Sequence, residues 1–361
     1  MGRKYNFYAG PSTLPVAVLE QLRDEMVDTG GQGLSMIETS HRGGMYETVH
    51  NEAIALFREM LGVPQGYHIL FLAGGATLQF AMVPMNLLAN GGSCDYVLSG
   101  SWAKKAAADA KLLAQVRVAF DGSAGGFTAL PDPSTLKVPA DSGYLHLTSN
   151  ETIGGLQWKQ FPTRGAVPLV ADMSSDIFSR RVPVERFDLI YAGAQKNLGP
   201  AGLTVVIISE ALLQRMREDL PSYLSYRAHA KENSLYNTPP VFCVWATNLV
   251  LKWAKKEGGL EAIEKRNNEK AGLLYKAIDE SGGFYRCPVA PAVRSTMNVV
   301  FRLPSEELEK AFLDESAKAG MLGLKGHRSV GGCRASLYNA FPLEGARALA
   351  AFMRDFRARK G

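Results

Sequence analysis

The chain has 361 residues, 46% of them hydrophobic and 21% charged, with a formal net charge of +5. This length exceeds what one core usually fills, so two domains are expected, and the composition is that of a soluble globular enzyme. No block of about five or six like charges marks a nucleic-acid or membrane tail, and no run approaches the ~18 apolar residues that span a bilayer.

The start, MGRKYNFYAGPSTLP, lacks the apolar stretch of a signal peptide, and Asn6 stands where a myristoylation pattern needs Ser or Thr. Leu14–Thr29 is expected to be a helix, with Pro15 in its first turn and Gly30-Gly31 closing it. A polar loop, SMIETSHRGG, carries His41 and Arg42 before a second helix over Tyr46–Leu61. His68–Ala73 is predicted as a strand, followed directly by Gly74-Gly75-Ala76-Thr77 and a helix over Leu78–Leu88. A strand, a glycine-rich turn and a helix start together expose backbone N–H groups to an anion. A tight turn with no ligand has the same pattern, which matches neither GxGxxG nor a Walker loop.

Next come a strand at Cys94–Ser99, Ser101-Trp102 leading into a helix over Ala103–Leu113, and a short strand at Val116–Ala119. Asp121–Asp141, rich in Gly, Pro, Asp and Ser, is expected to be a surface excursion. Tyr144–Thr148 is predicted as a strand leading to Thr152, and Pro168–Ala171 as one that ends in Asp172. Asp188–Ala192 and Leu203–Ile208 bracket a small-residue loop that carries Lys196. A lysine at the rim of a core lowers its pKa readily and is a candidate Schiff-base nucleophile; a solvated loop lysine is the plain alternative.

Strands alternating with helices over 68–208 argue for an α/β fold with a mostly parallel sheet flanked by helices. Functional groups in such folds collect at the carboxyl ends of the strands, where Gly74–Thr77, Trp102, Thr152, Asp172 and Lys196 all fall. Helices over Val241–Lys256 and Leu260–Ser281 lead to a smaller α+β domain with strands at Met297–Leu303 and Cys333–Ala340. Its helices are expected at Ser305–Ala319, with Ser305 as N-cap, and at Leu343–Ala358. The division expected is a large domain over 16–257, with 1–15 and 258–361 forming the small one. Cys94, Cys243, Cys287 and Cys333 form neither a CxxC pair nor a zinc-spaced cluster, so no metal is expected and a reducing, cytoplasmic setting is.

A lysine amine, an aspartate, a stacking aromatic and a phosphate cradle together describe a pyridoxal 5'-phosphate site. Lys196 would hold the aldehyde and move the α-proton, Asp172 would keep the pyridine nitrogen protonated, and Trp102 would stack on the ring. Thr152 would bond the phenolic oxygen, while Ala76, Thr77 and Gln195 would reach the phosphate. Each has an ordinary alternative: a capping aspartate, a core tryptophan, a turn hydroxyl.

The segments FYAGPSTLP (7–15), SHRG (40–43), GGATLQF (74–80), YAGAQKNLGPAG (191–202), NTPP (237–240), KGHRSVGGCRASLYNA (325–340) and PLEG (342–345) resemble the phosphoserine aminotransferases. These are a class V branch of the fold-type I aminotransferases, and the resemblance runs almost end to end. It implies a pyridoxal-phosphate enzyme exchanging amino groups between O-phospho-L-serine with 2-oxoglutarate and 3-phosphooxypyruvate with L-glutamate. It also implies a homodimer in which Asn237 and Thr238 serve the neighbouring subunit's cofactor phosphate. Arg334 would take the α-carboxylate; His41 and Arg42 would hold the distal anion, joined by His327 and Arg328 from the partner. The family also acts on a phosphorylated hydroxythreonine of vitamin B6 synthesis. Small residues at Gly199–Gly202 are expected to let the loop pass close beneath the ring. Two departures stand out: Ala76 and Thr77 replace a glycine and an arginine of some members, and Ala9 replaces a serine. Alternatives on the same fold are an alanine- or serine–glyoxylate aminotransferase and a non-catalytic phosphate-ligand-binding protein.

Overall fold

The computed structural model describes residues 2–89 and 91–361. In chain order its main elements are β1 (Tyr5–Asn6), α1 (Val16–Asp24), α2 (Gly44–Leu61), β2 (Tyr67–Leu72), α3 (Gly75–Leu87), β3 (Ser93–Leu98), α4 (Ser101–Ala110) and β4 (Gln115–Asp121). Then come β5 (Leu145–Thr148), β6 (Asn150–Glu151), β7 (Leu156–Gln157), β8 (Leu169–Asp172), β9 (Leu189–Gly193), β10 (Thr204–Ser209), α5 (Glu210–Leu213) and α6 (Tyr226–Lys231). The chain closes with α7 (Val241–Lys256), α8 (Gly259–Asp279), β11 (Asn298–Phe301), α9 (Glu306–Lys318), β12 (Met321–Leu322), β13 (Cys333–Ser336) and α10 (Leu343–Lys360).

Seven strands form the central sheet in the order β2-β10-β9-β8-β5-β3-β4. Strand β10 runs antiparallel to both β2 and β9, and the other pairings are parallel. Side chains alternate between two cores with the strand period of two. Ile69, Phe71, Leu169, Ala171, Val205 and Ile207 join the core that contains Val18, Phe57 and Trp245 of α1, α2 and α7. Leu70, Leu72, Val170, Val206 and Ile208 face the core built with Phe80, Ala106 and Ala107 of α3 and α4. Burial on both faces is why these strands read as continuous apolar runs. Such a fully buried Ile or Leu contributes roughly 1.5–3 kcal/mol of burial free energy.

A third cluster gathers Phe7, Leu274, Phe301, Phe312, Ala335, Leu349 and Phe356 around the antiparallel pair β11–β13. The chain's beginning belongs to it, because β1 pairs in parallel with β12 (Tyr5 with Met321).

Several element boundaries differ from the sequence reading. The first helix stops at Asp24, not Thr29. Thr29 is drawn into a loop by its own side chain, whose Oγ1 donates to the Glu25 carbonyl at 3.1 Å and accepts from Met36 N–H at 2.9 Å. The strand expected over Cys333–Ala340 ends at Ser336. Beyond it, Phe341 N–H turns back to the Tyr338 carbonyl at 2.8 Å. The third helix starts at Gly75 rather than Leu78, which matters for the site.

Candidate active site

Lys196 sits in the turn between β9 and β10, where Leu198 N–H and Gly199 N–H both return to the Ala194 carbonyl at 3.1 and 2.9 Å. The turn is pinned from below: Ser12 N–H donates to the Gln195 carbonyl at 3.0 Å, and the Asn197 amide donates to the Ile177 carbonyl at 2.9 Å. The lysine points into a cavity of about 310 Å³. Its Nζ donates to Thr152 Oγ1 at 2.9 Å and stands 5.7 Å from the centre of the Trp102 ring. Burial pushes the amine down to about 8; Asp172 pulls it up and Arg334 pushes it further down. A lysine so placed is neutral in roughly a tenth of molecules at pH 7, far more than an ordinary lysine, as a nucleophilic amine requires.

Asp172 ends β8, the strand beside β9, and its carboxylate accepts Ser174 N–H at 2.9 Å. Burial holds this carboxyl above its ordinary value, against the pull of Lys196. A buried carboxylate with so little hydrogen bonding is suited to a cationic N–H partner. Trp102, in the first turn of α4, lines the cavity with an indole Nε1 that has no partner among the described residues.

The opposite end is built from backbone. Gly74 has φ +90°, and a Cβ there would lie 2.5 Å from the Leu78 side chain, so the turn requires glycine. The sharp turn starts α3 at Gly75, with no side-chain cap. Gly75, Ala76 and Thr77 all line the cavity, and a helix start of this kind is a ready anion cradle. Gln195 lines it too. Arg334, on β13, enters from the far side; its Nη1 donates to the Thr152 carbonyl at 3.3 Å and its Nε is unpaired and buried.

His327 lines this cavity within its own chain, whereas the sequence reading brought it from the partner. The reason is local: Gly326 N–H bonds the Gly332 carbonyl at 2.7 Å, folding the loop before β13 back beside Arg334. Arg328, next in that loop, is exposed. The sequence reading also set His41 and Arg42 at the distal end of their own chain's cavity, and they do not line it. Arg42 instead donates to the Leu235 carbonyl at 3.3 Å, and the Nε2 of His41 is buried without a partner among the described residues. Asn237 and the exposed Thr238 follow two and three residues after Leu235 and do not line this cavity either, so Arg42 is tied to the segment that leads into them. Gly199 and Gly202 do not line the cavity either: a Cβ would strike Thr247 Oγ1 at 2.5 Å and Cys243 Sγ at 2.9 Å, so their smallness serves packing on α7.

Gly10, Asn150, Ser174 and Ser175 line the cavity without having been singled out in the sequence, and so does Ala9, noted there only as a departure. Ser174 alone had a readable signal, two residues after Asp172 at a strand end, the spacing of an Asx turn.

The class-V aminotransferase family model matches residues 4–349. The phosphoserine aminotransferase of Niallia circulans is 53% identical over 359 residues, 99% of each chain. The chain belongs to the phosphoserine aminotransferases of class V. The solved phosphoserine aminotransferase from Bacillus circulans subsp. alkalophilus superposes with a TM-score of 0.98 at 53% identity, covering 99% of both chains. A second solved phosphoserine aminotransferase, whose structure concerns radiation damage of its Schiff base, gives a TM-score of 0.97 at 49% identity over 99% of this chain and all of that one (100%). Family membership makes this a pyridoxal-phosphate-dependent aminotransferase. The residues present fit that cofactor: an uncapped helix start for its phosphate, a buried carboxylate for its ring nitrogen and a lowered-pKa amine for its aldehyde.

Proposed function

We propose that this chain transfers an amino group reversibly between O-phospho-L-serine with 2-oxoglutarate and 3-phosphooxypyruvate with L-glutamate. The observation that carries the reading is the cavity in which Lys196, Asp172, Trp102 and Arg334 converge at the ends of the strands, in a chain about half identical to phosphoserine aminotransferases over 99% of its length.

Pyridoxal phosphate supplies a carbonyl that carries the amino group and a ring that draws electrons from the substrate's α-carbon. Lys196 would hold its carbonyl carbon, and the Nζ is the base placed to take the α-proton and return it. Asp172 would keep a proton on the ring nitrogen, and Trp102 would cover one face of the ring and exclude water. Ala76, Thr77 and Gln195 would hold the phosphate, with Thr152 on the phenolic oxygen. Arg334 would grip the α-carboxylate through its planar fork, which suits carboxylates.

The distal anion distinguishes this substrate from an unphosphorylated one. The rim is cationic: after burial, Arg334, Lys105 and Arg328 push His327 below its ordinary value. That field favours a phosphate dianion. We assign His327 and Arg328 to the cavity of their own chain. In a homodimer His41, Arg42, Asn237 and Thr238 would complete the neighbouring cavity, since none of them lines their own. Thr77 offers no cation where some relatives carry arginine, so phosphate recognition rests on the histidine–arginine pairs. The phosphorylated hydroxythreonine of vitamin B6 synthesis carries the same two anions and is a second candidate substrate. We also propose the 16–257 division into a large domain, with both chain ends in the small one, and a cytoplasmic setting. Its supports are the scattered free cysteines and, among the described residues, no helix long and apolar enough to cross a membrane.

The test is half-transamination. Protein reconstituted with pyridoxal phosphate should show a visible absorption band, and O-phosphoserine or glutamate should bleach it. Alanine and serine should act at least tenfold more weakly. Bleaching by alanine with glyoxylate as the preferred acceptor would favour the glyoxylate aminotransferases, and no band at all would leave a non-catalytic binding protein.

A further inference from the structure

The hairpin β6–β7 sends consecutive residues to opposite sides, as strand geometry dictates. Asn150 and Thr152 line the cavity; Glu151 points the other way, into the start of α4. The residue is 1% exposed. One oxygen accepts Trp102 N–H at 3.1 Å, the other accepts Ala103 N–H at 3.0 Å and the Ser99 hydroxyl at 3.2 Å.

Among the described residues helix α4 has no other capping side chain, and its own first turn holds no acidic residue. The role falls to a side chain 49 positions further along the chain than Trp102. A carboxylate there satisfies two orphan N–H groups and meets the positive end of the helix dipole. The slot is shaped for it, since a Cβ on Gly100 would lie 2.5 Å from Glu151 Cδ. The carboxyl is raised to about 7, chiefly by burial and further by Asp172, against the pull of the two backbone N–H groups.

We propose that Glu151 is a positioning residue for Trp102: by gripping the backbone of residues 102 and 103 it sets where the indole stands at the cavity wall. The inference deepens the functional reading above and rests on its assignment of Trp102 to the cofactor ring. Because the neighbouring Thr152 bonds Lys196, the same two-residue step fixes the aromatic face and the amine relative to each other. Glu151 touches neither the reacting atoms nor the cavity.

A double-mutant cycle on the full chain tests this. The dissociation constant of pyridoxal phosphate is measured on cofactor-free protein for wild type, Glu151→Ala, Trp102→Ala and the double variant, with near-ultraviolet circular dichroism of each cofactor-free form. Glu151→Ala should weaken binding on the order of tenfold, add nothing in the Trp102→Ala background, and remove the dichroism that Trp102→Ala removes. Glu151→Gln, which keeps one acceptor oxygen, should restore part of both signals. An equal penalty in both backgrounds, or unchanged binding and dichroism, would overturn the proposal. If Glu151→Ala does not fold, the same cycle run with Glu151→Gln decides by the same criteria. Failure of wild type to bind the cofactor would count against the functional reading, and the dichroism of the cofactor-free forms would still decide the link between Glu151 and Trp102.

Discussion

Lys196 and Thr152 are joined by a hydrogen bond of 2.9 Å from the amine to the hydroxyl. They come from different strand ends, 44 residues apart. The threonine backbone carbonyl also receives Arg334 at 3.3 Å, so one residue touches both the amine and the group proposed for the α-carboxylate. Thr152→Val keeps the shape and removes the hydroxyl. We expect about a fivefold to tenfold weaker cofactor affinity, with a melting temperature close to that of wild type. Unchanged affinity would remove Thr152 from the cofactor's contacts.

The lowered amine gives a pH dependence with a definite sign. In cofactor-free protein Lys196 is neutral above about 8 rather than above 10.5. Its modification by an amine-directed reagent should therefore rise through a midpoint near 8, while exposed lysines rise later. Peptide mapping at Lys196 across the pH series reads this directly. A midpoint near 10 would mean the amine is solvated, and Lys196→Ala supplies the blank.

Arg334→Lys retains the charge and loses the fork. Both amino-acid substrates carry an α-carboxylate, so kcat/KM should fall for both, by roughly a hundredfold, or about 2.7 kcal/mol. The loss should not depend on the distal group. A loss confined to phosphoserine would place Arg334 at the phosphate instead.

Separate placement of Arg42 and Lys196 makes a shared site testable. Lys196→Ala and Arg42→Ala are each expected to be nearly inactive towards phosphoserine. Mixed in equal amounts with subunit exchange, half of the dimers are hybrids and each holds one intact site, so about a quarter of wild-type activity should return. Recovery should fail for Lys196→Ala mixed with Arg334→Ala, because those two residues line one cavity. Activity in that second mixture, or none in the first with exchange demonstrated, would contradict the assignment.

The sheet was readable because burial on both faces leaves long Val, Ile and Leu runs, as in Thr204–Ser209. The strand-end positions of Asp172, Trp102 and Lys196 followed from alternation alone. The hairpin β6–β7 was not readable: its strands are two residues each, polar in part, and held by tertiary bonds such as Asn150 to Asn298 at 2.9 Å. Glu151 was invisible for the same reason, since its partners are backbone N–H groups distant in sequence. The earlier start of α3 arises from the φ of Gly74, which a hydrophobic pattern does not encode. Which cavity His327 enters depends on how its loop folds back, and resemblance in residue type carries no such information.

Ala9 and Gly10 line the cavity, and the segment that carries them is tied to distant parts of the chain. Ser12 underpins the lysine turn, the Ala9 carbonyl accepts the Tyr338 hydroxyl at 2.8 Å, and Tyr5 is paired with Met321. Tyr5 and Ala9 thus find these partners only once residues 321–338 have emerged, whereas Ser12 meets the lysine turn earlier. Ribosome-bound nascent chains that expose residues only up to about 300 should accordingly be unable to capture pyridoxal phosphate, however completely their central sheet has formed. Capture by such a shortened nascent chain, read as a borohydride-fixed adduct, would show that the site forms without the ties of Tyr5 and Ala9 to residues 321–338.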